Sequence, residues 1–388
     1  MKTEILYALL ALSASAVKAQ VSGSPFGFAA DTTGGGSAAA ETPSSIEELI
    51  EWISDDTPRT ILIDRTWDFT GTEGTTDGQC CSTSTTICEG GTSAGQAWIQ
   101  DSCDDGTWVP CTYDNAAKTP IDVGSNKSIV GVGSDGVLKG KGLRITGGNN
   151  NVIIQNIHIT DLNPQYVWGG DAITLDDADL VWIDHNKISL IGRQFIVSGW
   201  GKAGRVTISN NEFDGVTDWS AGCNGKHYWT LLLIGEEDYY TFSDNWVHDV
   251  SGRAPHMGTA QTDSTNFFHG VNNYFQNIGG HAFDIDTNTW VLLEGNYFEA
   301  VDTPLTETSL TSGALIYNVP TVDSASACTD ALGYICEWNR LTDSGTWTER
   351  TDEDVLTMAA QYTDSLVDHI GVADVPNTVM ASAGVGKL

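Results

Sequence analysis

Positive charge is scarce in this chain. Eighteen lysines and arginines face 51 aspartates and glutamates, for a formal net charge of −33 over 388 residues. A surface of that sign repels nucleic acid, anionic membranes and densely charged polyanions. Long apolar runs are also missing: spanning a bilayer takes about 20 such residues, and the run at Ile5–Ala14 is half that. That run follows Lys2 and precedes Val17-Lys18-Ala19, the layout of a secretory leader. Residues 1–19 are therefore expected to be a signal peptide, and 20–388 one secreted domain. No Cys-x-x-Cys pair occurs, which argues against a structural zinc site. Eight cysteines behind a leader point instead to disulfides, whose pairing spacing alone does not decide.

What is present changes character along the chain. Residues 20–45 are rich in Gly, Ala, Ser and Thr and read as either a flexible arm or a close-fitting lead-in. The string IEELIEWI at 46–53 reads as a helix, with Ser44 or Ser45 as its cap and Glu47 and Glu48 in its first turn. Residues 60–64 read as a strand. Residues 70–120 hold Trp98, Trp108 and five cysteines, Cys80, Cys81, Cys88, Cys103 and Cys111. So long a loop in a compact chain is expected to be functional. Here it reads as a stapled excursion overhanging a cleft.

From residue 125 a pattern repeats. Strand-like runs are each followed by an asparagine and then an aromatic or apolar residue. The aligned positions are Asn186, Asn211, Asn245, Asn273 and Asn296, with spacings of 25, 34, 28 and 23. A near-constant minimum with variable excess is what stacked coils with unequal loops produce. The pattern predicts a parallel β-helix rising about 4.8 Å per coil. The asparagines are expected at the turns, as residues that tolerate the left-handed region and bond along the stack. An antiparallel sandwich is the competing fold, but no two-residue Asn-Gly connection joins these runs. Residues 351–362 read as a late helix over the open end of the stack.

Two segments carry candidate chemistry. Residues 166–193 supply Trp168, Asp171 and Arg193, and SGRAPH at 251–256 supplies Arg253 and His256. Each arginine follows a glycine just beyond a repeat strand, where loops hold sites. Cations this rare are poor candidates for surface filler. Trp98, Trp108, Trp168 and Trp229 are candidate sugar platforms, whose apolar ring faces suit neutral sugars. His185 sits among strand residues and reads as structural.

The strings VWGGDAITLDD, LVWIDH, IGRQ, CNGKHYW, SGRAP and GHAF, in this order, resemble fungal pectin lyases of the pectate/pectin lyase superfamily (polysaccharide lyase family 1) over roughly residues 21–340. The resemblance implies an all-β, single-domain right-handed parallel β-helix with short capping helices. It implies endo-acting β-elimination on highly methyl-esterified pectin by a monomer, with no metal or other cofactor. Arg253 would be the base, Arg193 a fixed cation where calcium-dependent relatives place an acidic ligand, and Asp171 an orienting carboxylate. His256 departs from the family's usual lysine and is a second candidate for the base. The implied disulfides are Cys80 or Cys81 with Cys103, Cys88 with Cys223, and Cys328 with Cys336, leaving Cys111 for the spare of the first two. Asn126-Lys127-Ser128 is the one glycosylation sequon. Two other functions compete: a calcium-dependent pectate lyase, and a non-catalytic polysaccharide-binding β-helix.

Overall fold

Each coil of the chain visits three parallel sheets in turn. One coil runs from Asp179–Asp184 in the first sheet to Lys187–Ile191 in the second and Ile196–Ser198 in the third. The next returns to the first at Gly204–Ser209, in register with 181–184. The computed structural model describes residues 20–83, 86–260 and 265–388; the expected signal peptide at 1–19 lies outside them. Ten strands, from Ala40–Glu41 to Leu315–Tyr317, form the first sheet. The other two share the long strands Tyr274–Ile285 and Tyr297–Leu305, whose first halves continue the second sheet and whose ends continue the third. This is the right-handed parallel β-helix expected from the spacing and the resemblance.

In-register parallel stacking places equivalent residues one strand spacing apart, so apolar positions sit on apolar positions. Val181, Val206, Tyr240, Phe268 and Val291 form one such buried row. Phe275 stacks on Phe298 with centroids 4.8 Å apart.

The turn between the first and second sheets holds the asparagine ladder. Asn211 Oδ1 accepts from the backbone N–H (2.9 Å) and the amide (3.0 Å) of Asn186. Asn245, Asn273 and Asn296 repeat the pattern. Asn339 extends it one coil further. One detail corrects the sequence expectation: the left-handed residue is the one before each ladder asparagine. His185, Asn210, Asp244, Asn272 and Gly295 have φ between 51° and 62°. The corner thus divides two tasks, one residue bending the chain and the next satisfying its buried backbone.

The 20–45 segment is a close-fitting lead-in. Asn151 Oδ1 accepts from the N–H groups of Thr33 and Gly34 (2.6 and 2.9 Å), and Thr241 Oγ1 accepts from Phe28 N (3.1 Å). Helix Ile46–Ser54 is capped by Ser45, which accepts from Glu48 N, and it buries Leu49 and Ile53 against the core. Helix Glu353–Ala359 does not close the far end, as expected from sequence, but covers the flank of the first sheet. Its Val355, Leu356 and Ala359 meet the outward Phe267, Leu292 and Tyr317, which water would otherwise reach. Leu310, Leu341 and Trp347 pack at the core instead.

The stapled excursion pairs Thr75–Thr83 antiparallel with Gly106–Asp114 and carries Ala97–Trp98. Cys81 bonds Cys103 and Cys80, the spare of the two, bonds Cys111. Neighbours on one strand face opposite sides, so the pair splits. Cys88–Cys223 ties the excursion to the helix, and Cys328–Cys336 closes a short loop. At the sequon, Asn126 Oδ1 accepts from Asn151 Nδ2 (2.7 Å), and Ser128 is buried.

Candidate active site

The outward positions of the third sheet form a straight row. Asp122, Arg144, Thr174, Val197, Leu232, His256 and Asp284 are paired in register, one per coil. Loops entering this sheet rise along one side of the row, and loops leaving it rise along the other. The entering loops carry Trp168, Asp171, Arg193, Trp229 and Arg253; the leaving loops carry Trp200 and Ile234. Between them lies a cavity of about 320 Å³ floored by Val197 and Leu232 and lined by both Arg193 and Arg253. A second cavity of about 430 Å³ adjoins it across Trp168 and reaches Asp171, Thr174 and Arg144.

Each guanidinium lies on an indole. Arg193 Cζ is 3.8 Å from the Trp168 ring centre, and Arg253 Cζ is 4.7 Å from that of Trp229, both within cation–π range. Arg193 Nε stands 3.1 Å from Asp171 Oδ1, yet the approach is too bent for a hydrogen bond and leaves Nε without one. Asp171 Oδ1 accepts instead from Gln194 N at 2.8 Å. The Gln194 amide, its oxygen turned to the guanidinium, accepts from Arg253 Nη1 (2.8 Å) and donates to Trp229 O (3.2 Å).

The backbone under the arginines is held as firmly. His227 is pushed down to about 4 by burial, so its neutral ring donates from Nε2 to Arg193 O at 2.7 Å. Arg253 has φ +50° and donates its N–H to His281 Nε2. Burial lowers the pKa of both guanidiniums, and the nearby Arg193 charge lowers that of Arg253 further. Burial also pushes the Asp171 carboxyl up, against the pull of Arg193. Two cations in a partly dry cleft, with little to neutralise them, are suited to charge that appears on a bound molecule.

Trp98 and Trp229 are edge to face at 5.4 Å in the cavity wall. Trp229 is buried and donates from Nε1 to Gln96 Oε1, so it serves as wall more than as platform. Trp168 is half exposed on the cavity. Trp108 is elsewhere: it sits on the excursion opposite Cys81, exposed, and lines neither cavity. His256 occupies the floor row one coil past Leu232, with Nδ1 2.6 Å from Asp284 Oδ2. Against burial, His256 and Thr306 hold Asp284 down to about 2. His185 bonds Asp184 at a ladder corner. Sequence reasoning missed Trp200 and Gln194. For Trp200 the signal was there: one indole between Gly199 and Gly201.

A calcium ion does not fit this donor set. The groups facing the cavity are donor-only guanidiniums, with Asp171 beside Arg193 and Asp284 acting on Arg253 from farther off, whereas calcium takes six to eight oxygens. Among the described residues one cluster has ligand spacing, Glu212, Asp214 and His248. There Lys187 already spans both carboxylates at 2.8 Å each.

A family model described as pectate lyase matches residues 3–387. The chain is 89% identical, over the full length of both, to "Probable pectin lyase F-1" of Aspergillus terreus. It is 75% identical, again over both full lengths, to "Probable pectin lyase F" of Neosartorya fischeri. Among solved structures, pectate lyase C of Erwinia chrysanthemi superposes with a TM-score of 0.56 at 19% identity, covering 94% of this chain and 96% of that one. A Paenibacillus pectate lyase gives 0.58 at 13% identity over 94% and 96%.

Proposed function

The chain belongs to the pectate lyase family, and from that premise we propose that it is a secreted lyase that cleaves methyl-esterified pectin by β-elimination without a metal. The observation that carries this is the placement of Arg193 and Arg253 on one cavity. Had they stood on opposite sides of the helix, no common charge could concern them both.

The reaction removes the C5 proton next to the C6 carbonyl of a galacturonate ester. The C5–H electrons pass into an enolate-like system, the C4–C5 double bond forms, and the C4–O glycosidic bond breaks, its oxygen taking up a proton. An ester intermediate carries one negative charge where a carboxylate would carry two. Fixed guanidiniums suffice for one charge. Arg253 is our candidate for the proton acceptor. A guanidine accepts a proton only in its neutral form, and burial plus the Arg193 charge favour that form here. Arg193 holds the developing oxygen charge, Asp171 fixes the backbone at Gln194, and the apolar Val197–Leu232 floor suits an ester methyl better than a carboxylate.

The test is ultraviolet absorbance from new unsaturated ends on highly methylated pectin and on polygalacturonate, each with and without a chelator. Activity on the ester alone, indifferent to chelator, is expected. Chelator-sensitive activity on polygalacturonate would make this a calcium enzyme, and tight pectin binding without new ends would make it a binding module.

A further inference from the structure

The acidic corner of the sequence, Asp176, Asp177 and Asp179, plays no part in the chemistry above, and neither does the fully buried Asp238. Two of these four carboxylates converge behind one loop of the cleft. The loop leaves the third sheet at Ser198, reads Gly-Trp-Gly-Lys-Ala and re-enters the first sheet at Gly204. Asp176 Oδ1 accepts from Gly201 N at 2.9 Å. Asp238 Oδ1 accepts from Ala203 N at 2.6 Å, and its Oδ2 from Ser198 Oγ (2.9 Å), Tyr240 Oη (2.9 Å) and Gly235 N (3.2 Å). Ser198 Oγ accepts in turn from Ile234 N at 3.0 Å. The loop is drawn down so far that a Cβ at Gly201 would lie 2.5 Å from Asp176 Oδ1, and one at Gly235 2.5 Å from Asp238 Oδ1.

Trp200 and Lys202 are the exposed residues of the loop, and of the two Trp200 lines the cleft. It is 51% exposed and lines the cavity opposite Trp168. We infer that Asp238 is a positioning residue for the pectin-cleaving reaction, clamping the 199–203 loop so that Trp200 stands as a substrate platform on the side of the cleft away from Trp168. Two of the four donors around the Asp238 carboxylate, Ala203 N on Oδ1 and Gly235 N on Oδ2, are backbone N–H groups that can only donate, whereas the Ser198 and Tyr240 hydroxyls can also accept. In Asp238→Asn the amide nitrogen must face one of these two N–H groups, so the bond to either Ala203 N or Gly235 N is lost in either rotamer. Where Ala203 N is the one released, Asp176 alone holds the apex.

The inference rests on the proposed function for its substrate, and the test keeps the two apart. Steady-state kinetics on highly methylated pectin are measured for the wild type, Asp238→Asn, Trp200→Ala and the double variant, with indole fluorescence of each. A wild type without activity on any pectin defeats the functional proposal and leaves the clamp to the fluorescence comparison. With an active wild type, Trp200→Ala is expected to raise KM about tenfold with kcat within about threefold, the signature of lost binding common to ground and transition state. Asp238→Asn should raise KM severalfold, and the double variant should be no worse than Trp200→Ala alone. In the wild type, the fluorescence difference against Trp200→Phe reports the Trp200 environment, and Asp238→Asn should shift it. An Asp238→Asn enzyme with unchanged KM and fluorescence, or losses that add to those of Trp200→Ala, overturns the inference. Should Asp238→Asn not fold, Ser198→Ala removes the Ile234 bond and one of the three donors that fix Asp238 Oδ2, freeing the carboxylate to turn away from Ala203. A KM equal to wild type in that variant overturns it equally.

Discussion

Replacing Arg193 with alanine removes one of two cations from the cleft and leaves its architecture almost untouched. The backbone at 193 is held by Gly170 O and the His227 ring, through bonds to its own N–H and carbonyl that alanine keeps. The loss is therefore expected in turnover more than in folding. A guanidinium about 4 Å from a unit charge, in surroundings of effective dielectric about 20, is worth about 4 kcal/mol. Part of that charge exists only in the transition state, and Arg253 stays in place, so about 3 kcal/mol is the reasoned loss. That corresponds to a fall in kcat of about 10²-fold, in the range of a lost oxyanion donor. Asp171, freed of the cation that opposes its burial, takes up a proton at higher pH and adds little repulsion of its own. Arg193→Lys keeps the charge but loses the flat contact with Trp168 at 3.8 Å, so it should fall between wild type and alanine. Initial rates of unsaturated-end formation at saturating pectin, with thermal unfolding as a control, decide the matter. If Arg193→Ala keeps kcat within about threefold, or Arg193→Lys is no better than alanine, a fixed cation at 193 is not what stabilises the intermediate.

Three further outcomes are expected. Trp168→Ala should raise KM about tenfold, whereas Trp108→Ala, away from both cavities, should leave it within about twofold in the same assay. Asn245→Ala strands the Ile208 carbonyl and the Asn211 N–H at a buried corner. At roughly 1–3 kcal/mol per orphaned group it should cost about 3–5 kcal/mol in urea unfolding, and a cost below about 1 would show the ladder is not a main support. Asp55 is held down to about 2 because, against burial, Arg59 and Lys127 outweigh it. Its folded pKa lies below its unfolded one, so its contribution of about 2 kcal/mol is present above pH about 4 and lost as pH falls toward 2. Asp55→Asn should flatten that part of the stability profile, measured by urea midpoints.

The helix was legible because its rule is local. A corner asparagine must bond the corner above it, so the residue recurs once per coil and its spacing counts coils. Asn339 escaped notice since a 43-residue coil carrying two helices and a disulfide separates it from Asn296, yet Leu341 follows it within two positions, as an aromatic or apolar residue follows each of the others. The division between a left-handed residue and the ladder asparagine was not legible, because His, Asn, Asp and Gly fill the first role interchangeably. Of the site, Arg193, Arg253 and Trp168 could be named because each follows a repeat strand at a short, countable distance. Trp108 misled because an excursion has no such register: its strand position relative to the cleft depends on how Cys80 and Cys81 divide their partners. Trp200 and Asp238 lie 38 residues apart, and only the stacking of coils brings Asp238 to the loop that bears Trp200.

Charge scarcity and site then explain one another. Five arginines, Arg59, Arg65, Arg144, Arg205 and Arg350, close on a carboxylate at 2.5–2.7 Å. With acids outnumbering bases so heavily, that is the default fate of a cation in this chain. Among the described residues Arg253 has no carboxylate within ion-pair distance, and Arg193 has one bent contact. Both rest on indole faces, which hold a guanidinium without cancelling its charge. A buried cation left unpaired costs stability, and a fold assembled for stability alone would have used a neighbouring acid to relieve it. The cleft instead keeps acids at a distance from Arg253 and turns Asp171 partly aside from Arg193. On the proposed mechanism, the charge that Arg193 keeps and the charge that Arg253 gains with the C5 proton are what a newly formed enolate would meet.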